Sequence, residues 1–186
     1  MLFAITIALN EISFSTLLGF MPIFLDRVHA KIENDAQLYY TLIIQQSASL
    51  PGISLSSYLI ETRLGRKWTV SLSFLFMGLS IFLFYSAVNY PMLLVFSSIQ
   101  TCFNYIGYSA WYAMVSEFYP TGIRSGTLGW LSFCDKFFGL IAVSIIGALL
   151  GLPGGLEISI FICSFSCICS GIISMFLPET KTINLL

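Results

Sequence analysis

Charge is what this sequence has least of. Of its 186 residues, 9% are Asp, Glu, Lys or Arg, against 57% hydrophobic residues. A soluble domain carries about 25% charged residues. Eight basic and nine acidic side chains are too few to coat a water-exposed surface. That argues against a soluble globular protein, a disordered chain and a nucleic-acid binder. The chain holds a single histidine, His29, so a histidine-based metal centre or catalytic relay has no residues to be built from. His29 falls in a polar connection and reads as a solvated side chain. No nucleophile–base pattern or phosphate loop is visible, so an enzyme is a distant reading, and neither a metal nor a cofactor is expected. No basic lead-in precedes the first apolar run, which is longer than a signal-peptide core and reads as a span.

What is present is apolar length. A spanning helix needs about 20 apolar residues. Runs of that length cover residues 2–25, 38–60, 68–88, 92–115, 127–150 and 156–177. Turn chemistry separates them, including Asn89-Tyr90-Pro91 and the Gly-Pro stretch 151–155. Barrel strands would alternate polar and apolar residues, and these runs do not. The expected fold is an all-α membrane protein, a single bundle of six transmembrane helices over 1–186. The five cysteines, Cys102, Cys134, Cys163, Cys167 and Cys169, all fall inside apolar runs and read as small packing residues. Basic residues set the orientation. With both termini cytoplasmic, Arg63, Arg66, Lys67, Arg124 and Lys181 lie inside, and Arg27 and Lys31 lie outside. Span one alone, with basic residues only after it, points the other way.

Ionisable residues within a span are expensive and mark function by default. Glu11 lies in span one beside Asn10. Asp135 and Lys136 lie eight and nine residues into span five, near the bilayer midplane at ~1.5 Å per residue. Adjacent helix positions point about 100° apart, so one of this pair meets a cavity and the other a neighbouring helix. A buried ion pair of Lys136 with Glu11 or Asp135 that only fixes packing is the plainer alternative. Gln45 and Gln46 interrupt span two. Asn104, Tyr108 and Trp111 or Tyr112 recur along one face of span four, suited either to a solute or to cross-helix bonding. Pro51-Gly52 breaks span two, as a kink or as a pointer to a transport site.

Three motifs sit at helix junctions in a fixed order. They are Arg63-Leu64-Gly65-Arg66-Lys67, Glu117-Phe118-Tyr119-Pro120-Thr121-Gly122-Ile123-Arg124, and Pro178-Glu179-Thr180-Lys181. Together they resemble the carboxy-terminal half of a major facilitator superfamily transporter. The likeness is to the sugar and organic-ion branch that includes synaptic-vesicle-type and organic cation or anion carriers. It covers essentially the whole chain, with spans one to six matching family helices seven to twelve. The resemblance implies a cytoplasmic gate cluster of Arg63, Arg66, Lys67, Glu117 and Arg124, with Glu179 nearby. It also puts Lys136 where relatives carry a cationic residue in helix eleven, which makes it the first choice for a substrate contact.

Some positions depart from the family pattern. Thr62 stands where the basic turn usually opens with Asp, and the acid is displaced to Glu61. Thr182 stands where the tail motif usually has Gly. The Gln-Gln pair falls in the matching helix eight rather than seven, which favours an organic ion over a hexose.

The resulting expectation is secondary transport of a small polar or charged organic solute by alternating access. Its solute cavity would be lined by Asn10, Glu11, Gln45, Asn104, Tyr108 and Lys136, with Asp135 as the coupling carboxylate. The expected partners are the lipid bilayer, the small-molecule solute and a second six-helix half, with no nucleic acid. Six helices supply half of such a machine, so a fragment, a half that pairs with another chain, and a truncated product all remain open. The Met at the head of an apolar run leans toward the first. The rival class is a non-transporting half-transporter acting as a membrane interaction partner.

Overall fold

A computed structural model describes residues 1–27, 35–62, 64–86, 90–152 and 154–178. Seven helices account for nearly all of them: α1 (Leu2–Arg27), α2 (Asp35–Ser47), α3 (Ser49–Glu61), α4 (Gly65–Tyr85), α5 (Tyr90–Phe118), α6 (Thr121–Leu150) and α7 (Gly155–Ser174). Among the described residues, α4, α6, α7 and the Leu2–Ile23 part of α1 are long and apolar enough to cross a membrane. The 29-residue α5 has the length, but its buried face carries Ser97, Gln100, Thr101 and Asn104. The connection around His29 and the whole tail motif beyond Pro178 lie outside the described residues.

The six expected spans correspond to six rods, because α2 and α3 are one rod broken at Ala48. Ala48 keeps helical angles, φ −65° and ψ −12°. The break is therefore a kink, and Pro51 explains it. Proline has no N–H, and its ring crowds the carbonyl four residues back, here that of Ser47. The neighbouring glycine serves packing. A Cβ on Gly52 would lie 2.7 Å from the Cys102 backbone oxygen, so α3 approaches α5 backbone to backbone. One turn on, the Ser56 hydroxyl donates to the Ile106 carbonyl at 3.0 Å.

One junction differs from the sequence expectation. Residues 116–126 read as a polar connection, yet α5 runs to Phe118 and α6 starts at Thr121. Only Tyr119 and Pro120 link them. Pro120 is extended at ψ 152°, and its carbonyl accepts from Ile123 and Arg124, both at 3.1 Å, starting the new helix. Polarity marks where a helix leaves the hydrocarbon, not where it ends. At the other basic turn, Gly65 takes φ 77°, a left-handed conformation that suits glycine.

Helix α4 packs on α5 and α7, and α1 packs on α6 and α7. Serine hydroxyls cross these interfaces to backbone carbonyls. Ser13, Ser166 and Ser170 join α1 to α7 through Cys163, Leu9 and Thr6 carbonyls at 2.6, 2.6 and 2.7 Å. Ser71 and Ser164 join α4 to α7 through Gly171 and Gly78 carbonyls at 2.7 and 2.8 Å. Hydrocarbon supplies no hydrophobic drive between helices, so close packing of small residues and such bonds hold the bundle.

The buried apolar residues form two clusters. One holds Leu17, Met21, Met77, Ile81, Leu93 and Ile146, with Cys163 and Cys167 packed among them. The other holds Phe3, Ile7, Val70, Phe74, Trp111, Met114 and Leu131. Along α1, α5 and α6 the stretches between the two clusters carry polar residues: Asn10 and Glu11, Asn104 and Tyr108, Asp135 and Lys136. The sequence thus builds two greasy ends around a polar middle layer.

Candidate functional site

The polar layer holds a connected network of Glu11, Lys136, Asp135 and Tyr108, and a separate Asn10–Asn104 pair. Lys136 Nζ lies 2.7 Å from Glu11 Oε1 and 3.1 Å from Asp135 Oδ2. The Ser15 hydroxyl, one turn along α1, also donates to Glu11 Oε1 at 2.8 Å. The Tyr108 hydroxyl donates to Asp135 Oδ2. Asn10 Nδ2 donates to Asn104 Oδ1 at 3.0 Å. Glu11, Phe14, Asn104, Tyr105, Tyr108 and Lys136 line an open cleft of about 140 Å³.

The adjacent pair on α6 divides as its helical angle demands. Asp135 turns inward, its side chain 1% exposed, toward Tyr108. Lys136 stands at the rim, its side chain 71% exposed, and its flexible stem brings the ammonium back to both carboxylates. Gly139 permits this. A Cβ there would lie 2.8 Å from Ser15 Oγ and 2.9 Å from Glu11 Cγ, so its bare backbone lets α6 run against α1 at the level of the ion pair.

Of the residues singled out by sequence, Asn10, Glu11, Asn104, Tyr108, Asp135 and Lys136 come together here. Gln45 does not line the cleft; it is buried on α2. Trp111 belongs to the second apolar cluster and donates from Nε1 to Thr6 Oγ1 at 3.2 Å. Tyr112 packs beside Tyr108, the rings tilted by 50° with centres 5.2 Å apart. Sequence reasoning missed Phe14, Ser15, Tyr105 and Gly139. Helical spacing signals two of them: Ser15 is four residues from Glu11, and Gly139 is four from Asp135.

The basic turn and the α5–α6 junction also meet. Arg66 pairs with Glu117, tying the start of α4 to the end of α5. Arg124 Nε donates to the Tyr119 carbonyl at 3.4 Å, and Lys67 is half-buried. The Thr62 hydroxyl donates to the Leu59 carbonyl at 2.7 Å and so caps the end of α3. Arg63 and Glu179 lie outside the described residues. The observed pair is a bond within this chain.

The sequence profile of the Major Facilitator Superfamily matches residues 3–184. The chain is 31% identical to the synaptic vesicle 2-related protein of Xenopus laevis over 144 residues, which is 77% of this chain and 26% of that protein. It is 26% identical to the human synaptic vesicle glycoprotein 2C over 148 residues, 78% of this chain and 20% of that one. It is also 26% identical to an uncharacterized MFS-type transporter of Schizosaccharomyces pombe over 145 residues, 77% of this chain and 25% of that one. The chain therefore spans about a quarter of the length of the curated relatives it matches.

Proposed function

Because the chain belongs to the major facilitator superfamily, a family of multi-pass membrane transporters, we propose that it forms one half of a secondary transporter. The cargo is a small polar or charged organic solute, moved by alternating access. The observation that carries the reading is the Glu11–Lys136–Asp135–Tyr108 network bordering an open cleft between two apolar clusters. In this reading Asn10, Glu11, Asn104, Tyr108 and Lys136 face the solute, Gln45 supports the site from α2, and Asp135 is the coupling carboxylate. Arg63, Arg66, Lys67, Glu117, Arg124 and Glu179 form the cytoplasmic gate, with both termini on that side.

Two magnitudes support a second half. Small-molecule sites usually enclose about 300–1,000 Å³. A cleft of about 140 Å³ falls short of that, and a facing wall would supply the rest. Lysine at the centre of a spanning helix costs about 2.5–3.5 kcal/mol against lipid. Lys136 is 71% exposed, and a polar wall across the cleft removes that cost.

The test is solute flux into proteoliposomes holding the chain alone or with a co-expressed six-helix partner. Flux that falls on Lys136→Ala supports the proposal. Wild-type flux in that variant counts against the site. Co-purification with a partner and no flux supports a non-transporting interaction protein instead.

A further inference from the structure

The network is short of one cation. Glu11 and Asp135 are two formal negative charges, and Lys136 is their shared counter-charge. Every donor to a carboxylate falls on the same oxygen of that carboxylate. Glu11 Oε1 takes Lys136 and Ser15. Asp135 Oδ2 takes Lys136 and Tyr108. The other oxygens, Glu11 Oε2 and Asp135 Oδ1, are buried and have no hydrogen-bond partner among the described residues, and Asn10 Oδ1 is in the same state. All three are acceptors. A buried acceptor without a donor is costly, more so on a charged group. Native structures keep few such groups unless a ligand or solvent meets them.

The cleft walls add a second preference. Phe14 and Tyr105 stand edge to face with centres 6.0 Å apart, and Tyr108 lies on the same lining. Aromatic faces attract cations and pack against apolar substituents. An anion would have to strip Lys136 from two carboxylates and then sit beside both of them. A neutral polyol would leave the charge imbalance in place.

We propose that the cleft binds a small organic ammonium ion, a protonated primary or secondary amine whose N–H groups reach Glu11. Lys136 then serves Asp135, and each carboxylate has its own cation. This assignment names the solute class of the site proposed above and rests on that transport reading for its use. It also changes the role of Lys136 from a direct solute contact to the internal cation that the solute partly displaces. Because the unmet need is for donors as well as charge, a quaternary ammonium satisfies half of it.

The experiment is equilibrium binding to the purified full chain in lipid nanodiscs, with four probes that share a phenyl ring and differ in the polar head. These are benzylammonium, benzyltrimethylammonium, benzyl alcohol and benzoate. Benzylammonium is expected to bind at least tenfold more tightly than each of the others. Glu11→Gln should weaken it at least tenfold, with melting behaviour checked in parallel. Lys136→Gln is a second variant, and it should tighten benzylammonium several-fold by freeing both carboxylates. Benzoate binding best, loss of benzylammonium binding in Lys136→Gln, or no preference among the four probes overturns the assignment. Benzylammonium that binds as described but is not carried into proteoliposomes overturns the transport reading and leaves the ammonium site standing.

Discussion

Lys136 Nζ and Glu11 Oε1 lie 2.7 Å apart across 125 positions of sequence, joining the first and sixth helices at mid-depth. The contact exists because Gly139 has no side chain. Gly139→Leu is expected to push α6 away from Ser15 and Glu11. Overpacking of this kind costs about 1–3 kcal/mol. Thermal unfolding in detergent should show the loss, and solute binding should fall with it. Gly139→Ala should show a smaller version of both effects.

Tyr108→Phe tests the other arm of the network. The ring stays and only the hydroxyl that donates to Asp135 is removed. Hydrogen bonds to charged groups are worth about 1.5–3 kcal/mol. The variant should fold, lose stability in that range, and alter flux if Asp135 carries the coupling proton. Unchanged stability and unchanged flux would show that the hydroxyl is idle.

The six-rod plan was legible in the sequence because turn chemistry separates six largely apolar runs, although among the described residues only four helices are apolar enough by themselves to cross a membrane. So was the membership of the polar layer, since Glu11, Asp135 and Lys136 are costly wherever they occur in a span. What was not legible is long-range register. Nothing local says that Ser13 meets the Cys163 carbonyl or that Ser164 meets Gly78. Serine in an apolar run looks the same whether it bonds its own helix, as Ser73 does to Thr69, or the next one. The junction at Tyr119–Pro120 was hidden for a different reason. Hydropathy reads lipid contact, and α5 and α6 both carry polar residues at their meeting ends. Gln45 was polar and mid-span like the others, yet α2 leaves it off the cleft lining.

The serine cross-links make a quantitative prediction. Ser13→Ala, Ser166→Ala and Ser170→Ala each remove one bond between α1 and α7. Cross-helix hydrogen bonds in membranes average about 0.6 kcal/mol. The triple variant should therefore lose about 2 kcal/mol in a denaturant titration, if the three act independently. A loss near zero would assign the interface to packing of small residues alone.

Gly52→Ala should be more disruptive than Pro51→Ala. The added methyl meets a backbone oxygen of α5 at 2.7 Å, and backbone does not yield as a side chain does. Removing the proline restores an N–H and relaxes a kink, which the flanking helical angles already accommodate. Thermal stability measured on both variants decides this. If Pro51→Ala is the worse of the two, the kink itself holds the rod in place.

Arg66 and Glu117 tie the first turn of α4 to the last turn of α5. Both side chains are partly shielded, at 18% and 22% exposure, so water screens the pair only in part. Arg66→Ala is expected to loosen these ends of α4 and α5 and, in an assembled transporter of the proposed orientation, to bias accessibility inward. A cysteine probe on the cytoplasmic side should then label faster. The exchange Arg66→Glu with Glu117→Arg should recover part of the wild-type rate, with a coupling of about 0.5–3 kcal/mol between the two positions. Recovery would show that attraction between these charges sets the gate. Failure of the exchange, with both single variants equally fast, would assign the effect to the neighbouring basic residues Lys67 and Arg124.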